Sequence, residues 1–347
     1  SLVVLLIFAL LSIFAPLIQA YLGVSHQTAN LLYANLPSAW PHILGTNELG
    51  QDVFVRLIYG SRISLSVGVL AAVTSAVIGS VIGLLAGYFG GRIDSMLMRF
   101  TDAMLSIPVL PLMIVFAALD LNRLFLGAMG IERVTVIFSL VFSLYLLIRF
   151  LADSPKQKKQ RGHFFRICFD ALMVSLFFIL GYFLIFYTIP MQALGEGNFA
   201  SVVKLIMIIV FFGWMTVARL ARASAMQLKN MEFILAAQAM GAGHKRILLS
   251  HIFPNALAPI IVAATLEVGE NILYEAALSF LGLGIQPPVS SWGNMLNNAV
   301  EYIKSSPSLA FWPGLFILIT VSCFNFLGDG MRDALDPHRV MKNVHGK

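Results

Sequence analysis

Eight long apolar runs dominate the sequence, and each is long enough to cross a lipid bilayer as a helix. A membrane-spanning α-helix needs about 20 mostly apolar residues, because the hydrocarbon core is about 30 Å thick. The runs lie at residues 2–20, 64–87, 100–119, 134–151, 168–189, 203–221, 256–280 and 311–328. We therefore predict an all-α integral membrane protein, a polytopic bundle of about eight transmembrane helices.

The composition agrees with a chain that lies mostly in lipid. Of the 347 residues, 59% are hydrophobic and 12% are charged, whereas soluble domains carry about 25% charged residues. The net charge of +6 does not indicate nucleic-acid binding, because the basic residues are spread between the apolar runs rather than gathered in one module. These features exclude an ordinary soluble domain.

The distribution of Lys and Arg predicts how the helices are oriented. If the first residue is placed on the cytoplasmic side of the membrane, sixteen Lys and Arg residues fall in cytoplasmic segments and five in extracytoplasmic segments. Cytoplasmic segments carry the excess of basic residues in membrane proteins, so the count places the 222–255 segment and the C-terminus in the cytoplasm. The count of basic residues also favours eight spans over six. If the runs at 134–151 and 168–189 did not cross the membrane, the basic run at 156–166 would lie on the extracytoplasmic side.

Two of the runs contain residues that predict how the helices pack. Gly79, Gly83 and Gly87 recur every four residues in the second run. Such a face of small residues allows a second helix to approach closely, although general glycine enrichment of membrane helices is the alternative. In the third run, Pro108 and Pro111 predict a kink or the end of a helical turn.

The segment at residues 222–255 predicts two helices rather than a passive linker. Residues 232–240 are strong helix formers, and the Gly-Ala-Gly sequence at 241–243 interrupts them. The basic and apolar stretch that follows ends at Pro254, because a proline cannot continue a helix at its own amide. We therefore predict a short helix–turn–helix that projects between two spans, since most connections are far shorter.

The 222–255 segment resembles the "EAA" coupling loop of importer permeases of the ATP-binding cassette (ABC) type. The resemblance rests on Ala236 and Ala237, on Gly241, and on the stretch 251–255. Four further stretches resemble the branch of that family that contains the permeases for dipeptides, oligopeptides and nickel, and its second permease subunit in particular. These stretches lie at residues 44–65, 275–284, 291–293 and 325–337.

The resemblance implies the fold of a type I ABC importer permease that works with several partners and without a cofactor. The implied partners are a homologous permease subunit, two cytoplasmic ATP-binding subunits and an extracytoplasmic substrate-binding protein. It also implies a peptide substrate, a place in the bacterial cytoplasmic (inner) membrane, and a loop that docks into a groove on an ATPase subunit. The residues expected in this contact are Glu232, Ala236, Ala237, Gly241, Lys245, Arg246 and Pro254.

The residue types of the loop agree with docking, and two features depart from the family pattern. Ala236, Ala237 and Gly241 predict a small-residue face that permits close approach, and the basic pair that follows can fix the register on an acidic rim. The glutamate of the family pattern is replaced by Leu235. The family usually has six spans, and the inserted helix pair at about 121–200 is an addition to which we assign no function.

Four acidic residues lie in or near predicted spans, where a charge costs at least ~2.5 kcal/mol at the bilayer centre. Glu267, Glu270 and Glu275 share one run, and Asp102 lies near the start of another. Glu267 and Glu270 are three residues apart and share a helix face. All four are candidates for the translocation pathway. We expect Glu267 and Glu270 to line it and to meet a peptide amino group or a cation; the alternative is pairing with polar groups between helices. Glu275 lies in a family stretch, which favours a structural or gating role.

The chain is predicted to divide into three parts. Residues 1–22 form the first transmembrane helix, with a signal peptide as the alternative, and residues 23–62 form an extracytoplasmic segment. Residues 63–347 form the permease core domain, which contains the inserted pair at about 121–200 and the cytoplasmic coupling loop at 222–255. The outer segment is expected either to contact a substrate-binding protein, as the resemblance implies, or to seal the outer mouth.

The sequence predicts no catalytic, cofactor or metal site. It lacks the Gly-x-x-x-x-Gly-Lys-Ser/Thr loop that binds ATP phosphates, and it lacks the His-Glu-x-x-His, Gly-x-Ser-x-Gly and Cys-x-x-Cys patterns. His26 and His42 are sixteen residues apart, which does not make a metal site. A secondary transporter or channel that is not driven by ATP is the alternative function. An intramembrane protease needs a nucleophile and a base on facing spans, and we cannot assemble such a pair.

Overall fold

A computed structural model describes residues 1–118 and 198–335, and the regular secondary structure in these ranges is helical. No β-strand occurs in these two ranges, and the predicted all-α fold is confirmed. The helices are α1 (Leu2–Ile13), α2 (Ala15–Leu22), α3 (Val53–Phe89), α4 (Gly91–Leu105), α5 (Val109–Ala118), α6 (Asn198–Leu228), α7 (Glu232–Ala239), α8 (His244–Phe280), α9 (Trp292–Ala299) and α10 (Ser308–Leu335).

The chain forms two compact units, and almost all described residues belong to the first. The first unit contains Ser1–Ala117 and Ser201–Lys347, and the second contains Ala118–Ala200. The predicted inserted pair, with its spans at 134–151 and 168–189, falls in the second unit and lies outside the described residues.

Six of the predicted spans have counterparts in the described residues. Helices α3, α6, α8 and α10 are each long and apolar enough to cross a membrane. The pairs α1 with α2 and α4 with α5 are bent, and they raise the number to six if each pair forms one span. Helices α3, α6, α8 and α10 begin several residues before the predicted runs, because the helices extend beyond the apolar stretches.

Each bent pair contains a proline close to its bend. Helices α1 and α2 meet at Phe14 with an angle of 62°, and Pro16 lies in the first turn of α2. Helices α4 and α5 meet at 80°, and Pro108 lies in the break between them. A proline is tolerated in the first turn of a helix but removes an amide donor from its interior. The predicted kink of the third run is confirmed, whereas hydropathy alone does not reveal the bend at Phe14.

The glycine face of α3 packs directly against α6, as predicted. A Cβ atom added to Gly83 would lie 2.2 Å from the carbonyl oxygen of Ala218. A Cβ atom added to Gly87 would lie 2.5 Å from the carbonyl oxygen of Arg222. Gly79, one turn before Gly83, lies equally close to the backbone of α6. The contacts advance four residues at a time in the same direction on both helices, so α3 and α6 run parallel. Any larger side chain on this face would force the two backbones apart.

The outer segment folds against the beginning of α3. This helix begins at Val53, so the last part of the predicted segment at 23–62 is helical. Asp52 caps the helix, because its Oδ1 accepts a hydrogen bond of 2.8 Å from the Val55 amide and its Oδ2 lies 2.9 Å from His42 Nδ1. A capped helix start and a folded segment before it give this end of the bundle a fixed structure.

Helix α8 continues through Pro254, so the prediction that the helix ends at this proline is wrong. The preceding segment Ile247–Ile252 is π-helical, and the Phe253 amide donates to the Leu248 carbonyl, five residues back. A regular α-helix would bring a carbonyl oxygen against the proline ring, and the wider turn moves it away. The second half of the predicted helix–turn–helix is therefore the beginning of a membrane span.

Two hydrophobic clusters lie in the described part of the first unit. One surrounds Trp292 and includes Leu57 of α3 and Ile272 of α8. The other joins Leu84 of α3 to Val217 of α6 and to the loop before α8. The 27 residues between Leu57 and Leu84 correspond to about 40 Å of helix, so the clusters lie toward opposite ends of α3. The outer segment and the 229–243 connection are thus at opposite ends of the bundle.

Candidate functional site

The candidate coupling surface is built on the connection between α6 and α8. Helix α6 ends at Leu228, α8 begins at His244, and the short helix α7 lies between them. The predicted helix at 232–240 is therefore confirmed. Glu232 lies in the first turn of α7, where a negative charge is favourable. The helix ends before Gly241, whose φ of 83° is a left-handed conformation that suits glycine.

One side of α7 packs against the end of the helix bundle. Ile234 and Ala237 are buried there. Ile234 belongs to a cluster with Val217 and Ala225 of α6 and Ile252 of α8. Full burial of a side chain of this size stabilises a fold by about 1.5–3 kcal/mol. The short helix is therefore held against the spans.

The other side of α7 and its neighbours expose apolar side chains, and we call this area the loop surface. Its apolar members are Met231, Phe233, Leu235, Met240, Leu249 and Phe253. Met240 is the most exposed of them, at 83%. Lys245 and Arg246 are exposed beside this patch. A group of exposed apolar side chains accompanied by basic ones is typical of a surface that binds another protein.

Six of the seven residues predicted to contact an ATPase are exposed, and one is buried. The exposed residues are Glu232, Ala236, Gly241, Lys245, Arg246 and Pro254. Ala237 is only 4% exposed, because it shares the inner face of α7 with Ile234, three residues earlier. The predicted small-residue face is thus divided between the two sides of α7, and larger apolar side chains provide most of the loop surface.

Two contacts that the sequence does not reveal join the loop to the end of α3. The Tyr88 hydroxyl and His244 Nδ1 are 2.7 Å apart. Lys229 donates a hydrogen bond of 3.0 Å from Nζ to the Gly87 carbonyl oxygen. The partners are 156 and 142 residues apart in the chain, so no local pattern could have found them. They fix both ends of the loop to the same span.

Ion pairs connect α4 to α6 near the same end of the bundle. Arg222 binds Asp94 with two nitrogens, and its Nη2 donates to Asp94 Oδ2 at 2.7 Å. Asp102, predicted to lie near the pathway, accepts a hydrogen bond of 3.1 Å from Arg219 Nε. The first pair is largely shielded, whereas both side chains of the second are more than half exposed. Asp102 therefore has a cationic partner on its own chain.

Glu267 and Glu270 lie in the middle of α8 in different surroundings. Glu267 is 6% exposed, and its Oε2 has no hydrogen-bond partner among the described residues. Asn271 Nδ2, one turn further, is also buried without a partner there. Glu270 is exposed on the side of the helix. A carboxylate at this depth requires water or a polar partner, so this side of α8 is unsuited to lipid.

Glu275 is fully buried and bonded within its own chain. Ser64 of α3 donates to its Oε2 at 2.7 Å, and Ser279 donates to its Oε1 at 2.8 Å. Ser64 also accepts a hydrogen bond of 3.4 Å from the Trp292 amide of α9. The carboxylate thus connects three helices, and it is separated from the side of α8 that carries Glu270.

The described residues contain no group of three or more His, Cys, Asp or Glu side chains that could hold a metal ion. The two histidines of the outer segment have separate partners. His26 stacks on Tyr59 with ring centroids 3.7 Å apart, and its Nδ1 lies 2.8 Å from Gln19 Oε1. His42 pairs with Asp52 at the start of α3.

Comparison with known proteins identifies a family over most of the chain. Residues 79–340 match a family model described as "Binding-protein-dependent transport system inner membrane component". This range contains helices α6 to α10 and the loop surface.

Individual relatives match nearly the whole chain. The oligopeptide transport system permease protein OppC of Bacillus subtilis (strain 168) is 33% identical over 337 residues, which cover 97% of this chain and 84% of that protein. The dipeptide transport system permease protein DppC of Alkalihalophilus pseudofirmus is 34% identical, with the same two coverages. The nickel transport system permease protein NikC of Escherichia coli (strain K12) is 31% identical over 341 residues, 98% of this chain and 95% of that protein.

Proposed function

Because the chain belongs to the family of binding-protein-dependent transport system inner membrane components, we propose that it forms half of a translocation pathway for di- or oligopeptides. It is a multi-pass inner-membrane permease subunit of an ABC importer, and its function is transport rather than catalysis. Permeases of this family work with ATPase and substrate-binding proteins. The specific contacts, the cargo and the orientation in the membrane are the parts we propose.

The loop surface is the part of the chain that we assign to ATPase docking. The observation that carries this assignment is an exposed apolar patch on a helix whose inner face, at Ile234 and Ala237, is packed on the bundle. A surface that is both apolar and firmly supported can transmit force to the spans. Lys245 and Arg246 supply positive charge at its edge, which would steer it toward an acidic groove.

The contacts at the base of the loop support a route from the ATPase to the membrane helices. Tyr88 and His244 join α3 to α8, and Lys229 joins the end of α6 to Gly87 of α3. A displacement of α7 would therefore move three spans together. With one such loop on this chain and one on a homologous permease subunit, two ATPase subunits would complete the assembly.

We assign the side of α8 that carries Glu270 to the pathway. Glu270 is exposed in the middle of a span, and Glu267 and Asn271 beside it have buried polar atoms without partners among the described residues. Such groups are costly in lipid and suit a polar cargo. Their negative charge favours the amino group of a peptide. Glu275 and Asp102, which the sequence also suggested for the pathway, already have partners, and we assign them structural roles.

The orientation follows from the charges at the two ends of the bundle. The connection that carries Lys229, Lys245 and Arg246 is the more basic end, so we place it in the cytoplasm together with the C-terminus. The folded segment before α3 then faces the outside, where it can meet a substrate-binding protein. This arrangement puts the loop surface on the side where ATP is available.

Uptake into membrane vesicles tests the function against its alternative. Vesicles that contain the assembled transporter and the substrate-binding protein are supplied with a labelled dipeptide or tripeptide. We expect uptake that requires ATP inside the cytoplasmic compartment and that excess unlabelled peptide abolishes. Uptake that follows an imposed ion gradient without ATP would indicate a secondary transporter. Uptake of Ni²⁺ without uptake of peptide would assign the chain to metal transport.

A further inference from the structure

The beginning of the chain carries no Asp, Glu, Lys or Arg before Glu48. Helices α1 and α2 form the first part of this stretch, and more than half of the outer segment follows them. A surface that meets water usually carries charges, and charged residues make up about 25% of a soluble domain. A charge-free segment outside the long spans therefore suits surroundings less polar than water.

Helix α2 has one side packed on the protein and another side exposed. Ala15 and Leu22 are buried, whereas Leu17 is 66% exposed and Tyr21 is 81% exposed. Leu17 and Tyr21 are four residues apart, so they lie on the same face of the helix. Ile13, the last residue of α1, is also exposed. An exposed apolar surface therefore runs from the end of α1 across the bend to α2.

A tryptophan of the outer segment lies beside the exposed face of α2. The rings of Tyr21 and Trp40 are 6.4 Å apart in an edge-to-face arrangement, and Trp40 is 72% exposed. Tyr and Trp are enriched where a membrane meets water, because each combines an apolar ring with a polar O–H or N–H group. We call Leu17, Tyr21 and Trp40 the α2 surface.

Contacts with α3 place α2 close to the beginning of a long span. Gln19 Oε1 lies 2.8 Å from His26 Nδ1, and the His26 ring stacks on Tyr59 of α3. Tyr59 is five residues before the apolar run at 64–87, which corresponds to about 8 Å of helix. The polar layer on each side of the hydrocarbon core is about 5–8 Å thick. Helix α2 therefore lies level with this interfacial layer.

The direction of α2 and a nearby cation agree with this position. Helix α2 turns away from α1 by 62°, so it runs more across the direction of α1 than along it. Arg62 is exposed, and its guanidinium carbon lies 5.7 Å from the centre of the Tyr59 ring. A guanidinium presents N–H donors that match the oxygens of a phosphate group. The charge near α2 therefore complements the phosphates of a lipid layer.

We propose that the α2 surface binds the interfacial layer of the phospholipid bilayer. Leu17 contacts the acyl chains, and the rings of Tyr21 and Trp40 lie among the headgroups. A docking site for a soluble protein usually has a polar rim, whereas the chain around these residues carries no charge. The contact fixes the depth of the outer segment, and it depends on the membrane rather than on the cargo or the ATPase.

Quenching of Trp40 fluorescence tests the proposal in the assembled transporter. The complex is placed in vesicles of phosphatidylethanolamine and phosphatidylglycerol whose acyl chains carry bromine close to the headgroup or close to the chain end. The emission of the wild type minus that of Trp40→Phe isolates Trp40 from every other tryptophan of the complex. We expect bromine close to the headgroup to quench this signal at least about twofold more strongly.

A water-soluble quencher distinguishes lipid from the other possible surroundings. Iodide on both sides of the membrane should quench the Trp40 signal only weakly. Strong quenching by iodide, with none by either lipid, overturns the proposal. Protection from iodide that appears only after the substrate-binding protein is added also overturns it, and assigns the α2 surface to that protein.

A second variant tests α2 itself. Tyr21→Trp combined with Trp40→Phe keeps an aromatic ring at both positions and moves the tryptophan to α2. Its signal relative to Trp40→Phe alone should show the same preference for bromine close to the headgroup. Quenching of this signal by iodide but by neither lipid would overturn the assignment of α2 to the bilayer. The result does not require peptide uptake, so it stands or fails separately from the proposed function.

Discussion

Ser64 donates a hydrogen bond of 2.7 Å to Glu275, although the two residues are 211 positions apart in the chain. Both are fully buried, and the second carboxylate oxygen accepts from Ser279 at 2.8 Å. The Trp292 amide completes the cluster through Ser64 Oγ. A buried carboxylate is tolerated only where such donors surround it. The cluster therefore holds α3, α8 and α9 together and fixes the side of α8 that we assign to the pathway.

Removal of the Ser64 hydroxyl should destabilise the protein. Ser64→Ala leaves a buried carboxylate oxygen without this donor, which costs about 1–3 kcal/mol. The measurement is the thermal unfolding of the purified protein in detergent. Ser66→Ala is the matched control, because Ser66 is exposed on the same helix. Equal melting temperatures for Ser64→Ala and Ser66→Ala would contradict the role of the cluster.

The close contact between α3 and α6 should not tolerate a methyl group. In Gly83→Ala the new Cβ atom meets the Ala218 carbonyl oxygen at 2.2 Å, and overpacking of this kind costs about 1–3 kcal/mol or more. Gly314→Ala is the control, since a Cβ atom there has no neighbour within 4 Å. We expect Gly83→Ala to lower the melting temperature, whereas Gly314→Ala should leave it unchanged or raise it. A lower melting temperature for Gly314→Ala than for Gly83→Ala would contradict the close packing of α3 against α6.

The outer segment should lose stability at mildly acidic pH because of His26. Burial, and then the positive charges of Arg56 and Arg62, lower the pKa of His26 from 6.5 to about 4. Between these values the unfolded chain binds a proton that the folded chain does not, so stability falls as the pH decreases from 6.5 to 4. His26→Phe can still stack on Tyr59 but cannot be protonated. The melting temperature of His26→Phe should therefore depend less on pH than that of the wild type. The same pH dependence in both proteins would contradict this prediction.

Neutralisation of Glu270 should impair transport without affecting folding. Glu270 is exposed in the middle of α8, where we propose that it attracts the amino group of the cargo. Glu270→Gln should reduce peptide uptake by about tenfold, which corresponds to about 1.4 kcal/mol. Glu301→Gln removes an exposed carboxylate beyond α9 and should have no such effect. If both Glu267→Gln and Glu270→Gln leave uptake and substrate range unchanged, these carboxylates do not line the pathway.

Features that recur along the chain predict most of this fold. The apolar runs predict the four span-length helices and the two bent pairs, and the spacing of Gly83 and Gly87 predicts the close packing of α3. The strong helix formers before Gly241 predict α7. These features depend on neighbouring residues, so a single sequence contains enough information to find them.

Features that depend on distant residues could not be predicted in the same way. Which face of α7 is buried depends on where the other helices lie. For this reason Ala237 is buried while its neighbour Ala236 is exposed. Pro254 lies inside a helix because a π-helical segment precedes it, and that segment has no simple sequence signature. The partners of Tyr88 and Ser64 are more than 150 residues away.

The most direct test of the account is copurification of the ATPase subunits with the permease in mild detergent. Phe233→Asp combined with Met240→Asp places two charges on the loop surface, where both side chains are exposed. Leu31→Asp combined with Leu32→Asp places the same charges on exposed positions of the outer segment. We expect the wild type and the outer variant to recover the ATPase equally, and the loop variant to recover at least about tenfold less. Full recovery with the loop variant, or none with the wild type, would contradict coupling through this surface.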